Sequence, residues 1–221
     1  ANLLMIYSLI TAGKLKNNNV IVPALSWTTT VSPIIQLGLN PILCDCDTET
    51  LGLDIEHLKL LIDENKPSAI LLVHVLGFPN KMKEIQELCL DNDIILLEDS
   101  CESIGSEYNG TKTGSFGLMS SFSFYFGHHL STIEGGMITT DSEELYNLLK
   151  ALRSHGWNRD LSDEYKNKLN EGFEVNDFKD QYTFYYPGFN FRSTDLQAII
   201  GIHQLDKVDE IVTARNDNYE L

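Results

Sequence analysis

Short apolar runs alternate with helix-like patterns along the first hundred residues, and this alternation limits the fold more than any other feature. The runs cover residues 18–25, 40–47, 68–75 and 93–100, and they are apolar nearly throughout. Helical periodicity follows each of the first three runs. Strands that are buried on both faces have this composition, so the sequence predicts a largely parallel sheet covered by helices on both faces.

The rest of the chain departs from this regular succession. Two further strands are predicted over 120–126 and 136–140 without a long helix between them, which indicates that the order of the sheet changes there. A helix is predicted from Ser142 to Gly156, and residues 157–188 are polar, aromatic and irregular. Residues 190–211 then predict one helix or two helices with a kink.

Composition excludes several classes of protein. Sixteen Lys and Arg against 32 Asp and Glu leave a net charge of -16, which repels nucleic acid and anionic membranes. No apolar run approaches the roughly 20 residues that cross a bilayer. The four cysteines form no CxxC pair, so neither a disulfide framework nor a bound metal is expected. We expect a soluble cytoplasmic protein.

Ligands of open α/β sheets bind outside the carboxyl ends of the strands. The residues that follow the predicted strands are Trp27, Asp47, Gly77, residues 99–102 and the turn 127–134. We therefore expect the chemistry of this chain to lie among them.

Six segments, taken in order, resemble the DegT/DnrJ/EryC1/StrS family of sugar aminotransferases. They are VIVPALSWTTTVSPI, NPILCDCDTETLGLD, LEDSCESIG, SFYFGHHLSTIEGG, LRSHGW and GFNFRSTDLQAIIGIHQL, and they run over nearly the whole chain. The resemblance implies an α/β fold of the aspartate-aminotransferase type, fold type I, that binds pyridoxal 5'-phosphate (PLP). It assigns residues 1–200 to the large domain without its N-terminal part and residues 201–221 to the start of a connection to a small domain, so we expect a piece of a longer protein.

The resemblance breaks at one position. In this family a lysine six residues before the Glu of the Glu-Gly-Gly segment forms the Schiff base with PLP, and counting back from Glu134 gives His128. An imidazole cannot form that bond, so the cofactor would be held without a covalent link. Histidine at this position is typical of the sugar 3-dehydratase branch, and it would carry protons near neutral pH. His129 is expected to pack or hydrogen-bond within the turn.

The resemblance also implies the residues that hold the cofactor. Asp99 would bind the protonated pyridine nitrogen, although by its sequence alone it would be interpreted as a helix N-cap. Trp27 would stack on the ring unless it is ordinary core packing, and Glu102, one helical turn after Asp99, would bind the ring hydroxyl. Ser123 would bind the phosphate, and Asn190 would reach it from the partner subunit of a homodimer.

The implied function is a dehydratase that uses PLP and pyridoxamine 5'-phosphate (PMP), with L-glutamate as the amino donor. It would remove the C3 hydroxyl of a nucleotide-linked 4-keto-6-deoxy sugar, with the GDP-linked mannose derivative favoured, to make deoxysugars for surface polysaccharides such as the lipopolysaccharide O-antigen. Three alternatives stay open: a dehydratase acting on the CDP-linked glucose derivative, a nucleotide-sugar 4-aminotransferase, and a catalytically silent member that binds cofactor or sugar. The CDP-linked reaction in that family needs an iron-sulfur cluster, and no cysteine follows Cys101.

Overall fold

The computed structural model describes residues 1–171, 173, 175 and 177–220. The strands are β1 (Asn19–Pro23), β2 (Asn40–Cys44), β3 (Ala69–Val73), β4 (Ile95–Asp99), β5 (Glu107–Tyr108), β6 (Thr111–Lys112), β7 (Met119–Ser123) and β8 (Gly136–Thr139). The helices are α1 (Asn2–Thr11), α2 (Thr28–Gln36), α3 (Ile55–Asn65), α4 (Met82–Asp91), α5 (Glu143–Leu152), α6 (Asp163–Asn170), α7 (Asp177–Asp180), α8 (Asp195–Leu205) and α9 (Val208–Tyr219).

The contacts divide the chain into two compact units, residues 1–139 with 194–221 and residues 140–193. The first unit contains a sheet with the strand order β2-β1-β3-β4-β7-β8. Its first five strands in this order run parallel, and β8 pairs antiparallel with β7. This confirms the predicted parallel sheet and the change of order after β7.

The central strands are buried because helices cover both faces of the sheet. Ile70 and Leu72 of β3 belong to a core cluster with apolar residues of α3 and α4. Leu71 lies between them and points to the opposite face, where it is equally buried. Buried side chains of α1 supply apolar packing in this unit as well, and the Ser8 hydroxyl of α1 contacts the sulfur of Met119 in β7. An apolar run without alternation follows directly from burial on both faces.

The second unit is built around α5. Ser142 accepts a hydrogen bond from the Leu145 N–H and caps this helix, as predicted. Residues 157–188 are not wholly irregular, because they contain α6 and the short α7. The prediction missed α6 since none of its residues is buried, which leaves no apolar stripe in the sequence.

One other predicted boundary needs correction, and one open alternative is resolved. β7 ends at Ser123 rather than at residue 126, because the chain turns away towards β8 there. The segment 190–211 contains two helices rather than one, since α8 ends at Leu205 and α9 begins at Val208. Across the described residues, no helix combines the length and apolar character needed to cross a membrane.

Candidate active site

Asp99 ends β4 at the carboxyl edge of the sheet, and its side chain is only 4% exposed. One oxygen, Oδ2, accepts hydrogen bonds from Asn2 Nδ2 at 2.6 Å and from Thr30 Oγ1 at 2.9 Å. The other, Oδ1, accepts the Cys101 N–H at 3.2 Å. No lysine, arginine or histidine side chain among the described residues forms an ion pair with it. The three donors that hydrogen-bond to this carboxylate are thus neutral, and burying a carboxylate without a hydrogen-bonded cation is costly.

The turn after Asp99 corrects two expectations. Residues 100–106 form turns, not a helix, so Asp99 is not a helix N-cap. Glu102 therefore does not follow Asp99 by one helical turn. Its carboxylate Oε2 accepts the backbone N–H of Leu76 at 2.7 Å, in the loop that follows β3. Glu102 lies at the same edge of the sheet as Asp99, and its carboxylate secures the Leu76 loop.

Asn2 was not predicted as a site residue, although its side chain makes three hydrogen bonds in this region, as many as the side chain of Asp99. It begins α1, and besides Asp99 its Nδ2 contacts the Thr29 carbonyl at 3.1 Å. Its Oδ1 accepts the Ser121 hydroxyl of β7 at 2.6 Å. Thr30, the other side-chain donor to Asp99, was also missed. Both residues lie far from Asp99 in sequence, so no local spacing could have revealed them.

Trp27 lies immediately before α2, and its side chain is 72% exposed. This exposure contradicts the alternative that it is an ordinary core residue. The Trp27 carbonyl accepts the N–H of Thr30, and the Thr30 hydroxyl binds Asp99. The exposed indole of Trp27 is therefore attached to the same helix start as Thr30, whose hydroxyl binds Asp99.

His128 lies in the turn between β7 and β8, at the same edge of the sheet. Hydrogen bonds from Phe124 N–H to the Gly135 carbonyl and from Thr132 N–H to the Phe124 carbonyl close this turn. The His128 N–H binds the Tyr125 carbonyl at 3.0 Å, and its ring meets the Tyr125 ring edge-on with centroids 5.8 Å apart. Its Nδ1 is buried and has no hydrogen-bond partner among the described residues. The backbone and ring contacts of the turn thus hold the imidazole in place.

His129 lies beside His128 but in a different electrostatic setting. Burial, with smaller effects of Arg215 and His128, lowers the pKa of His129 to about 4. The ring is therefore neutral at physiological pH. Its Nδ1 is buried without a partner among the described residues, so the predicted hydrogen bond within the turn is not seen at that atom.

The two remaining predicted residues lie in different units. Ser123 ends β7 and is half-buried, and its hydroxyl oxygen accepts the N–H of Tyr125 at 3.2 Å. Among the described residues, no acceptor lies within hydrogen-bond distance of its hydroxyl hydrogen. Asn190 lies in the second unit, where it forms a β-bridge with Ser154. The first unit thus brings Trp27, Asp99, Glu102, Ser123 and His128 to one edge of its sheet.

Comparison with known proteins gives a consistent result. The family model described as the DegT/DnrJ/EryC1/StrS aminotransferase family matches residues 1–221. GDP-4-keto-6-deoxy-D-mannose 3-dehydratase of Escherichia coli O55:H7 is 43% identical over 223 residues, which cover 100% of this chain and 57% of the relative. The enzyme of the same name from Yersinia pseudotuberculosis is 42% identical over 99% of this chain and 56% of its own length. The chain thus spans little more than half the length of these relatives.

Solved structures give the same relationship. The Escherichia coli GDP-4-keto-6-deoxy-D-mannose 3-dehydratase with bound hydrated PLP has a TM-score of 0.91 at 43% identity. That comparison covers 99% of this chain and 56% of the other. A structure of GDP-4-keto-6-deoxymannose 3-dehydratase with a trapped PLP-glutamate geminal diamine has a TM-score of 0.87 at 43% identity, over 94% of this chain and 54% of the other.

Proposed function

Because this chain belongs to the DegT/DnrJ/EryC1/StrS aminotransferase family, we propose that it acts as a PLP-dependent sugar 3-dehydratase. The reaction would remove the C3 hydroxyl from a nucleotide-linked 4-keto-6-deoxy sugar, with L-glutamate as the amino donor. The observation that carries this proposal is His128, which lies in the turn where family members have the lysine that tethers the cofactor. The chain has the fold type I architecture of PLP-dependent aminotransferases, but this turn has no lysine that could form a Schiff base with PLP.

The buried carboxylate fits this cofactor. Asp99 receives three hydrogen bonds from neutral donors and no side-chain cation from the described residues. A protonated pyridine nitrogen is a compact cationic donor, and a charge-assisted hydrogen bond to it would offset the cost of burying Asp99. When bound, the cofactor in its PMP form supplies the electron sink that lets the C3 hydroxyl leave.

The other predicted residues have roles that match their positions. The exposed indole of Trp27 offers a flat apolar face for the cofactor ring. The Ser123 hydroxyl has its hydrogen free to donate to the phosphate, and Glu102, at the same edge, is proposed to face the ring hydroxyl. This role requires that Glu102 exchange or share the hydrogen bond it now accepts from Leu76.

His128 is proposed as the catalytic base and acid. An imidazole can take up a proton and release it near neutral pH. We propose that a ring nitrogen of His128 accepts a proton from the methylene carbon that carries the amine of PMP. The same nitrogen would then deliver this proton to the departing C3 hydroxyl oxygen of the sugar. Without a lysine at this position no internal amine competes for the cofactor, so elimination is favoured over amino transfer. The resulting products would be a 3-deoxy-4-keto sugar, ammonia and 2-oxoglutarate, because L-glutamate supplies the two electrons and the nitrogen when it is oxidised to the 2-oxo acid.

The favoured substrate is the GDP-linked mannose derivative, since the two relatives above act on it according to their names. The product would enter deoxysugar synthesis for surface polysaccharide. All four cysteines are free thiols, which suits a reducing compartment, and we propose a cytoplasmic location.

The test uses the full-length protein and compares three variants. His128→Asn is expected to lower the rate of dehydration by about 100-fold or more, because the proton carrier is lost. His128→Lys is expected to restore a tether that borohydride reduces to a stable adduct, with loss of dehydration. His129→Asn is the matched control, because it removes the neighbouring imidazole and should keep most of the rate.

Mass spectrometry of the sugar and an ammonia assay follow the reaction. Unchanged dehydration by His128→Asn would show that the proton carrier is another group. Borohydride trapping of PLP on the wild-type enzyme would show that a lysine elsewhere tethers the cofactor. Either result would refute the proposal.

We further propose a homodimer with composite sites, in which Asn190 reaches the phosphate held by the other subunit. Symmetric dimers are the commonest assembly of soluble enzymes. Mixing His128→Asn with Asn190→Ala subunits after denaturation and refolding should then restore activity that neither parent has. Hybrids that remain as inactive as the parents would show that the His128 and Asn190 of one site come from the same subunit, which would refute the composite site.

A further inference from the structure

We propose that Asn2 is a positioning residue that orients the Asp99 carboxylate for the pyridine nitrogen of PLP, an inference that rests on the proposed function. Its effect would appear in the binding of the cofactor and in the spectrum of the bound cofactor. The folding of the protein would depend on it much less.

Asn2 joins three parts of the first unit through one buried amide. Its Nδ2 donates to Asp99 Oδ2 at 2.6 Å and to the carbonyl of Thr29, in the first turn of α2, at 3.1 Å. Its Oδ1 accepts the Ser121 hydroxyl at 2.6 Å. Both donor hydrogens and one acceptor lone pair are thus in use, and the side chain is 7% exposed.

The orientation of this amide follows from its partners. Exchanging the nitrogen and oxygen of Asn2 would place an oxygen against the Asp99 carboxylate and the Thr29 carbonyl, which both only accept hydrogen bonds. The Ser121 hydroxyl can adapt to either arrangement, but the other two cannot. The amide therefore presents its donors to Asp99 in a single orientation.

The two oxygens of Asp99 are unequally engaged. Oδ2 accepts two side-chain donors, Asn2 and Thr30, which come from different helices and fix it from two directions. Among the described residues, Oδ1 accepts one backbone hydrogen bond, from the Cys101 N–H at 3.2 Å, near the upper limit of hydrogen-bond lengths, and the Cys101 thiol also interacts with the Asp99 carboxylate. Holding Oδ2 in this way fixes the plane of the carboxylate and leaves Oδ1 with the greater unused capacity.

The alternative is that Asn2 only attaches α1 to the sheet. In that case its loss would lower the stability of the protein without a specific effect on the cofactor. The double-mutant relation with Ser121 separates the two, because the Ser121 hydroxyl binds Asn2 directly at 2.6 Å, whereas its other links to Asp99 are the strand pairing and a longer contact with the Cys101 thiol at 3.8 Å.

The experiment measures PLP affinity of the full-length protein by absorbance titration, together with the melting temperature of the cofactor-free protein. Asn2→Ala should weaken PLP binding by about tenfold or more, since it removes a hydrogen bond to a charged group. It should also shift the absorption maximum of bound PLP, which reports the protonation of the ring nitrogen. Ser121→Ala should weaken binding less, and should add little when Asn2 is already alanine.

Asn147→Ala is the matched control. Asn147 is 4% exposed and lies in α5, where the one partner of its Nδ2 among the described residues is the Glu143 carbonyl of its own helix. Its replacement should leave PLP affinity and spectrum unchanged even if the melting temperature falls. Asn2→Leu is a second variant, which keeps the branched shape of the side chain at a larger volume, so the test remains possible if Asn2→Ala does not fold.

The outcomes are distinguishable. If the wild-type protein fails to bind PLP, the proposed function is refuted. If the wild type binds PLP and folded Asn2→Ala and Asn2→Leu bind it with equal affinity and an identical spectrum, the positioning role is refuted while the proposed function stands. Strictly additive effects of Asn2→Ala and Ser121→Ala would also overturn it.

Discussion

Replacing Glu98 with glutamine tests how the edge of the sheet that carries Asp99 is stabilised. Glu98 is fully buried in β4, directly before Asp99. Its Oε1 accepts the N–H groups of Phe116 and Gly117, each at 2.7 Å. Its Oε2 accepts the Gly114 N–H at 2.8 Å and binds His74 Nε2 at 3.0 Å.

The direction of each bond follows from His74. Its Nδ1 faces the Asn80 N–H at 3.3 Å, so Nδ1 accepts and Nε2 carries the hydrogen. A glutamine at position 98 can keep its oxygen towards Phe116 and Gly117. Its amide nitrogen then faces two donors, the Gly114 N–H and the His74 Nε2–H, and both lose their acceptor.

Each buried donor left unsatisfied costs about 1–3 kcal/mol, so the substitution should lower the free energy of unfolding by about 2–6 kcal/mol. With a urea dependence of about 2 kcal/mol per molar, the midpoint should fall by about 1–3 M. Glu87→Gln is the control, because Glu87 is exposed on α4 and its replacement should change stability by less than about 0.5 kcal/mol. Circular dichroism in urea measures both.

The dependence on pH provides a second test. Burial alone would raise the pKa of Glu98, but hydrogen bonds from His74 and from the Gly117 and Gly114 N–H groups outweigh it and hold the pKa below its ordinary value. The ionised form thus contributes stability above the ordinary pKa of a glutamate, about 4.3, and this is lost as pH falls through the lower folded value. The Gln variant should lose less stability on acidification. Equal urea midpoints for Glu98→Gln and Glu87→Gln would refute this reasoning.

Two further predictions concern the candidate site. His129 should titrate at a pH of about 4 in NMR spectra of the folded protein, because burial lowers its pKa. As the pH decreases from about 6.5 to about 4, His129 takes up a proton in the unfolded chain but not in the folded one. The free energy of unfolding should therefore fall over this range, and it should fall less in His129→Gln. Titration of His129 near pH 6.5 in the folded protein would contradict this prediction. The chain has two tryptophans, so Trp157→Phe leaves the exposed Trp27 as the only indole. PLP should quench its fluorescence, and a similar quench in Trp27→Phe would show that Trp27 does not contact the cofactor.

The layout of the sheet could be predicted from the sequence because burial on both faces leaves a direct mark on composition. Runs such as Ala69–Val73 are apolar at every position, and a strand buried on one face would alternate. The end of β7 was predicted too late since Phe124, Tyr125 and Phe126 continue the apolar pattern beyond the paired residues. Their aromatic side chains belong to the turn that carries His128, where pairing with β8 has already ended.

Sequence reasoning could propose site residues only at the end of a strand or in the turn after it. Asp99 and Ser123 end β4 and β7, and His128 lies in the turn after β7, at the edge that the ends of parallel strands share. Asn2 and Thr30 reach Asp99 across 97 and 69 residues of chain, so their role depends on how α1 and α2 pack. Glu102 was placed on a helix because a spacing of three suggests one turn, whereas the structure has turns there.

Glu98 and Asp99 show how a structural carboxylate differs from one that we propose to bind a ligand. They are adjacent in β4, so their side chains point to opposite faces of the sheet, and both are buried. Glu98 is bound by three backbone N–H groups and one imidazole, which come from the surrounding fold and use both of its oxygens. Asp99 is bound mainly through one oxygen, by neutral side chains that leave the other less engaged. Both residues are buried, so burial does not distinguish them, and the distribution of donors over the two oxygens favours Asp99 over Glu98 as the carboxylate that we propose to bind a cation.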